Sequence, residues 1–269
     1  MALADDGLLS LDDEVKKYLP RFDGDKAAIT IRQLLSHTSG LPPSHPVLDN
    51  REITLAQAVD RIADVSLVSK PGQECLYGDL AIQVAGRIAE IASGASAESG
   101  AAWGELFEKK IVLPLRLEQT SFHGGAPTPN PHLAGGLHSN ALDYGRFLQM
   151  LLNRGEFNGK KVLSRSAVEE TVKDQTRGVP LRFNPFEYFA DLHPGWSKVR
   201  YGICNWLEVV GDKPQDVLEV SSPGVFGFCP WIDFRRRCTG ILAASSSMTK
   251  VFPVYFKLKS VLRSALDEK

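Results

Sequence analysis

PGQECLYGDLAIQVAGRIAEIASG, residues 71–94, puts a loop, a Tyr-Gly-Asp triplet and a helix in one run. Leu80, Val84, Ile88 and Ile91 recur at the helical period, which predicts a helix from about Asp79 to Ser93. Gly94 stands at its C-terminal stop and Asp79 is a good N-cap residue at its start. Tyr77 therefore sits at the entry to a well-defined helix.

Outward from this stretch the first two-thirds of the chain is mainly helical. Thr30 caps a short helix through IRQLLSH, and Thr54 caps LAQAVDRIADV. Asn140 with Asp143 opens another, whose apolar face is Leu142, Phe147, Leu148, Leu151 and Leu152. SRSAVEETVKDQT makes one more, and HGGAPTPNPHLAGG at 123–136 is a loop dense in breakers. From about residue 198 the pattern changes to KVRYGICNWLEVV, QDVLEVSS, VFGFCPWIDF and RCTGILAAS, meandering strands that predict antiparallel pairing. The end is helical again, with Val251, Val254, Tyr255, Leu258, Val261, Leu262 and Ala265 on one stripe. The expected fold is α+β: an antiparallel sheet flanked by helices, with a mostly helical subdomain. One domain spans 1–269, helical over 1–197 and made of strands and a final helix over 198–269.

The composition excludes several functions. Lys plus Arg is 31 and Asp plus Glu is 32, a net charge of −1, so no global field favours nucleic acid or an anionic membrane. No apolar stretch approaches the roughly 18 residues of a membrane span. Cys75, Cys204, Cys229 and Cys238 lack metal-like or scaffold-like spacing, and free thiols are expected, with Cys229–Cys238 across a hairpin as the alternative. Arg235-Arg236-Arg237 is expected to be a solvated turn. His123, His132 and His138 share a loop but fit no standard metal site, so solvated or hydrogen-bonding histidines are expected and no metal or cofactor is predicted. SHTSGLP at 36–42 is expected to end a helix at His37 and turn.

A nucleophile is harder to find. Gly-x-Ser-x-Gly, phosphate-loop, Gly-x-Gly-x-x-Gly and His-Glu-x-x-His patterns do not occur. SSSMTK at 245–250 places Ser247 three residues before Lys250, the Ser-x-x-Lys spacing of one class of acyl-transferring hydrolases. With 21 serines and 15 lysines in the chain, chance alone predicts about one such pair. Ser247 also suits the N-cap of the last helix, and that structural role is the expectation.

The blocks LADDGLLSLDDEVKKYLP, ITIRQLLSHTSGLP, PGQECLYGDLAIQVAGRIAEIASG, PLRLEQTSF, AGGLHSNALDYGRFLQMLLNRGEF, RYGICNWLEV and PGVFGFCPWIDFRRRCTGIL follow one another in this order. Together they resemble the serine β-lactamase-related family of class C β-lactamases, D-alanyl-D-alanine carboxypeptidases and esterases. The resemblance runs from residue 3 to about 245. It implies a cleft between sheet and helical subdomain, lined by Ser-x-x-Lys, Tyr-x-Asn, and Lys-Thr-Gly or His-x-Gly. Tyr77-Gly78-Asp79 takes the second place and Ser222-Pro223-Gly224 the third. This implies a catalytic Tyr77 and a substrate shelf of Asp79, Ser222 and Gly224.

Two departures matter. A carboxylate at Asp79 cannot donate the hydrogen bond of an asparagine amide. Ser222 brings no charge to hold a substrate carboxylate. In the family the Ser-x-x-Lys segment precedes the LADDG block, so its counterpart is expected upstream of Met1. The expectation is an N-terminally truncated serine hydrolase lacking the family's first strands, inactive by itself, whose substrate is a small ester or amide. The alternative is a non-catalytic protein of the same fold that binds a ligand or a partner.

Overall fold

Side-chain caps set the helix starts. Thr30 and Thr54 each form a reciprocal box with the glutamine three residues on, opening α1 (Ile31–Leu35) and α2 (Leu55–Ile62). Each box satisfies two backbone groups that the helix cannot. The chain is described here by a computed structural model, over residues 1–94, 102–126, 128–213 and 215–268. The predicted central helix is α3 (Leu80–Ala92), buried through Leu80, Val84 and Ile88. It packs with α1 and α2 around a first core that includes Val15, Phe22 and Ile29. Next come α4 (Ala141–Leu152), capped by the Asn140 side chain, and α5 (Arg165–Thr171), capped by Ser164.

The strands follow as expected: β1 (Arg200–Tyr201), β2 (Trp206–Val210), β3 (Val217–Ser221), β4 (Phe228–Asp233) and β5 (Cys238–Ala243). They form one antiparallel sheet in the order β5-β4-β3-β2-β1. Among the described residues β5 pairs on one side only. The final helix, α6 (Met248–Asp267), crosses the sheet. Because side chains alternate along a strand, the two faces differ. Trp206 and Trp231 pack toward Phe252, Tyr255 and Phe256 of α6. Leu207, Val220 and Ile232 pack toward Leu148 of α4. Three layers result, α4, sheet and α6, and the fold is the predicted α+β class.

Several expectations are corrected. The buried stripe of α6 is Val251, Phe252, Tyr255, Phe256 and Lys259, while Val254 and Val261 are exposed. Lys259 joins the buried stripe because its ammonium meets Glu208, which alternation places on the α6 face of β2 two residues after Trp206. Leu142 is exposed, since the first turn of α4 buries Asp143 instead. That carboxylate accepts from the Glu118 and Gln119 N–H groups and the Thr120 hydroxyl, at 2.8, 2.7 and 2.9 Å. Arg236 is no solvated turn residue: its guanidinium binds Asp233 and Asp267, fastening the β4–β5 turn to the end of α6. The four cysteines are free, and the ladder pairs Cys229 with Leu242 and Cys238 with Asp233.

Candidate active site

A two-residue strand, Cys75–Leu76, pairs in parallel with Leu181–Arg182, and the Leu76 N–H donates to the His37 carbonyl at 2.8 Å. These bonds deliver Tyr77 into an aromatic pocket. Its ring centroid lies 4.8 Å from His37, 5.1 Å from Trp206 and 5.9 Å from Tyr201. Gly78 is required by a close backbone approach: a Cβ there would stand 2.2 Å from Pro43 Cα. The same approach lets the Asp79 N–H donate to the Pro43 carbonyl at 2.6 Å.

The electrostatics of this pocket run against base catalysis by the phenol as it stands. Burial pushes the Tyr77 hydroxyl up to about 12, and Asp79 and Cys204 add to the rise. No cation acts in the other direction among the described residues. His37 is buried and pushed down to about 4, so its ring is neutral at pH 7. Its Nε2 lies 3.1 Å from the Tyr201 hydroxyl, which burial holds well above its ordinary value. One proton, from either the phenol or the imidazole, serves this bond, and the other ring nitrogen, Nδ1, is buried without a partner.

Asp79 is corrected as a cap. It occupies the N-cap position of α3 with φ −97° and ψ −28°, and its side chain makes no cap bond. Oδ2 instead meets His132 Nε2 at 3.2 Å. The loop around His132 is locked by its own bonds. The His132 N–H donates to His123 Nε2 at 2.9 Å, the Gly136 N–H to the His132 carbonyl at 2.7 Å, and the His123 N–H to the Gly136 carbonyl at 2.8 Å. A Cβ at Gly136 would fall 2.7 Å from the His132 carbonyl oxygen. Among the described residues no three His, Cys, Asp or Glu side chains gather as metal ligands.

Ser222 and Gly224 belong to the turn after β3. The Ser222 N–H donates to the Pro230 carbonyl at 3.2 Å and the Gly224 N–H to the Phe228 carbonyl at 2.8 Å. No hydrogen bond joins them to Tyr77 or Asp79 among the described residues. The sheet relates them: Trp206, against which Tyr77 packs, pairs with Ser221, the residue before Ser222. Ser247 and Lys250 lie elsewhere, both exposed, at the start of α6. The Ser247 hydroxyl pairs with that of Thr249 at 2.9 Å.

Beside this site runs an unfilled apolar trough of two adjoining cavities, about 370 and 290 Å³. Leu148 and Leu151 of α4 face Val220 and Ile232 of the sheet across the first, and Ile82, Ala85 and Ile88 of α3 wall the second. Met1, Leu35, Ile111 and Cys204 are common to both. Cys204 is exposed at the trough, and it is close enough to act on Tyr77. Asn205, which lines the trough, leaves its buried Oδ1 without a partner. Residues reasoned from sequence, Tyr77 and Asp79, are thus joined by His37, Tyr201, Trp206 and His132, which sequence reasoning left in structural roles. Only the density of histidines in 123–138 was a local signal for His132.

Comparison with known proteins bears on the family and the fold. The family model described as Beta-lactamase matches residues 1–244. A structure from Bacteroides dorei DSM 17855, solved as a candidate β-lactamase, is 33% identical with a TM-score of 0.76, over 92% of this chain and 73% of that one. D-alanyl-D-alanine-carboxypeptidase/endopeptidase AmpH of Escherichia coli (strain K12) is 27% identical over 179 residues, 56% of this chain and 44% of its own length. A family VIII carboxylesterase superposes with a TM-score of 0.64 over 91% of this chain and 73% of that one; at 17% identity it speaks for the fold alone. The chain spans less than half the length of the curated relatives it matches. With the family model covering most of its residues, the chain belongs to the beta-lactamase family, a fold group with carboxypeptidase and esterase members.

Proposed function

We propose that this chain carries the tyrosine side of a Ser-Lys-Tyr acyl-transfer site, of esterase or peptidoglycan-type carboxypeptidase class, and that these 269 residues alone do not hydrolyse substrate. In such a site a serine hydroxyl attacks the ester or amide carbonyl, forming an acyl-enzyme. The Tyr77 phenol passes the serine proton to the leaving group, which requires a neighbouring ammonium to bring its affinity for protons down. Asp79, Ser222 and Gly224 form the shelf on which the small substrate rests.

The observation that carries this reading is the environment of Tyr77. The ring is fixed at the sheet end that leads into Ser222, yet its hydroxyl is raised to about 12 with no cation to lower it. The unfilled trough and the unpaired side of β5 support a seat for a further segment bearing the serine and lysine. A second reading, a non-catalytic protein that binds a ligand or partner, is favoured by the two departures from the family pattern, Asp79 and Ser222.

Covalent labelling tests the choice. A fluorescent penicillin or fluorophosphonate is expected to leave the 269-residue chain untagged. The same chain extended in frame on its N-terminal side is expected to be tagged at a new serine, with or without Ser247→Ala. Tagging of the 269-residue chain that Ser247→Ala abolishes contradicts the proposal. If neither form is tagged while a small ligand raises the melting temperature, the binding protein is the better reading.

A further inference from the structure

We infer that Asp79 and His132 act as a pair that makes the Tyr77 end of the cleft select a substrate carrying an ammonium or amine donor close to its carbonyl. The inference rests on the reading of Tyr77 and Asp79 as one end of the substrate site, and it names the class of substrate that site would take.

Two oxygens of one carboxylate have different duties. Asp79 Oδ2 is held by His132 Nε2 at 3.2 Å, and no donor reaches Oδ1 among the described residues. The Asp79 side chain keeps 40% of its exposure while that of His132 keeps 22%, so the imidazole shields one oxygen and leaves the other open. The backbone beneath cannot shift the carboxylate away, because the Asp79 N–H is bound to Pro43 and Gly78 admits no side chain. The main chain carrying the imidazole is held as well, its N–H bonded to His123 Nε2 and its carbonyl to the Gly136 N–H.

An asparagine at this position would offer one acceptor and one donor. Asp79 offers an acceptor in place of that donor, and His132 engages only one of its two oxygens. A substrate N–H or ammonium placed at Oδ1 gains a charge-assisted bond, whereas an anionic or acceptor group there is repelled. The nearest charged or titratable neighbours do not offset this. His37 is buried and neutral, Tyr77 holds its proton, and among the described residues the only ion pair of Asp79 is with His132. His132 is on this account a positioning residue, acting through Asp79.

The test compares matched probes on the 269-residue chain. Phenylalaninamide carries the ammonium beside its carbonyl, 3-phenyllactamide replaces it by a hydroxyl, and N-acetylphenylalaninamide removes its charge. Binding is followed by NMR shifts of the Tyr77 and His132 rings. Phenylalaninamide is expected to move both rings and to bind roughly tenfold tighter than either neutral probe, as one partly exposed charge-assisted bond allows. Asp79→Asn is expected to remove the preference. His132→Gln, whose amide can still donate to Oδ2, is expected to keep most of it, and His132→Ala to reduce it several-fold. Equal affinities, no binding by any probe, or a preference that survives Asp79→Asn overturns the inference. Should His132→Ala fail to fold, the half-exposed Asp79→Asn variant still decides. Serine labelling of the extended chain without an ammonium preference defeats this inference and leaves the proposed function standing; the preference without labelling does the reverse.

Discussion

The two faces of the sheet are built to different standards. On the α6 face, charge answers charge in a dry core. Lys259 Nζ sits between Glu208 and Glu219, at 2.5 and 2.7 Å, the Tyr255 hydroxyl donates to Glu208 at 2.6 Å, and Arg263 grips Glu219 through two bonds. Around them Phe252, Tyr255 and Trp206 are almost wholly buried. The α4 face is apolar: Leu148 packs on Leu207, Val220 and Ile232, and a cavity of about 370 Å³ remains beside them, where Asn205 leaves a buried oxygen unpartnered. One face is thus finished by buried ion pairs, and the other is closed by apolar packing that leaves a cavity.

The largest expected effect breaks the finished face. Lys259→Met strands Glu208 in a dry core, and urea denaturation is expected to show a loss of about 3–5 kcal/mol. A change below 1 kcal/mol would mean that water enters this cluster and that the two faces are alike. Truncation sharpens the same contrast. Phe252→Ala is expected to cost about 3–5 kcal/mol, whereas Leu151→Ala beside the existing cavity is expected to cost under about 2 kcal/mol, because less packing is lost.

Acid is the next lever, and it acts near the Tyr77 pocket. His37 is held at about 4 in the folded chain against about 6.5 unfolded, so between these values only the unfolded state takes up the proton. Its contribution is fully present above pH 6.5 and is lost as the pH falls toward 4, by about 3 kcal/mol. His193 and His123 are also lowered by burial and act in the same direction. The test is therefore the difference in pH-dependent melting between wild type and His37→Gln, which should be flatter over pH 4–6.5. Parallel curves would remove His37 from the account. The smallest effect lies far from either face: Thr54→Ala breaks the capping box of α2 and is expected to cost about 1 kcal/mol.

What was legible in the sequence was local. Thr30, Thr54 and Asn140 announce their helices within three residues, and the strand run after 198 declares itself by alternation. The ordered blocks carried the family, and with it Tyr77 and Asp79. What escaped depends on long-range partners. Lys259 finds Glu208 across 51 positions, so the α6 stripe could not be phased from its own residues. His132 meets Asp79 across 53 positions and His37 meets Tyr201 across 164. A histidine in a turn carries no mark of such a partner. Asp79 was misjudged for the opposite reason: its local signal as a cap was good, and a tertiary contact overrode it.

The phenol of Tyr77 packs against Trp206 on the α6 face of the sheet, and the proposed function turns on it. Carbon-13 labelling of tyrosine and NMR titration of the 269-residue chain, with Tyr77→Phe assigning the resonance, measures its proton affinity directly. The account predicts a Tyr77 signal that stays unmoved through pH 10.5, held by burial toward about 12. A phenol titrating at or below 10 would mean that an activating cation already stands beside it, and the account of Tyr77 as held up by burial with no cation near would fail.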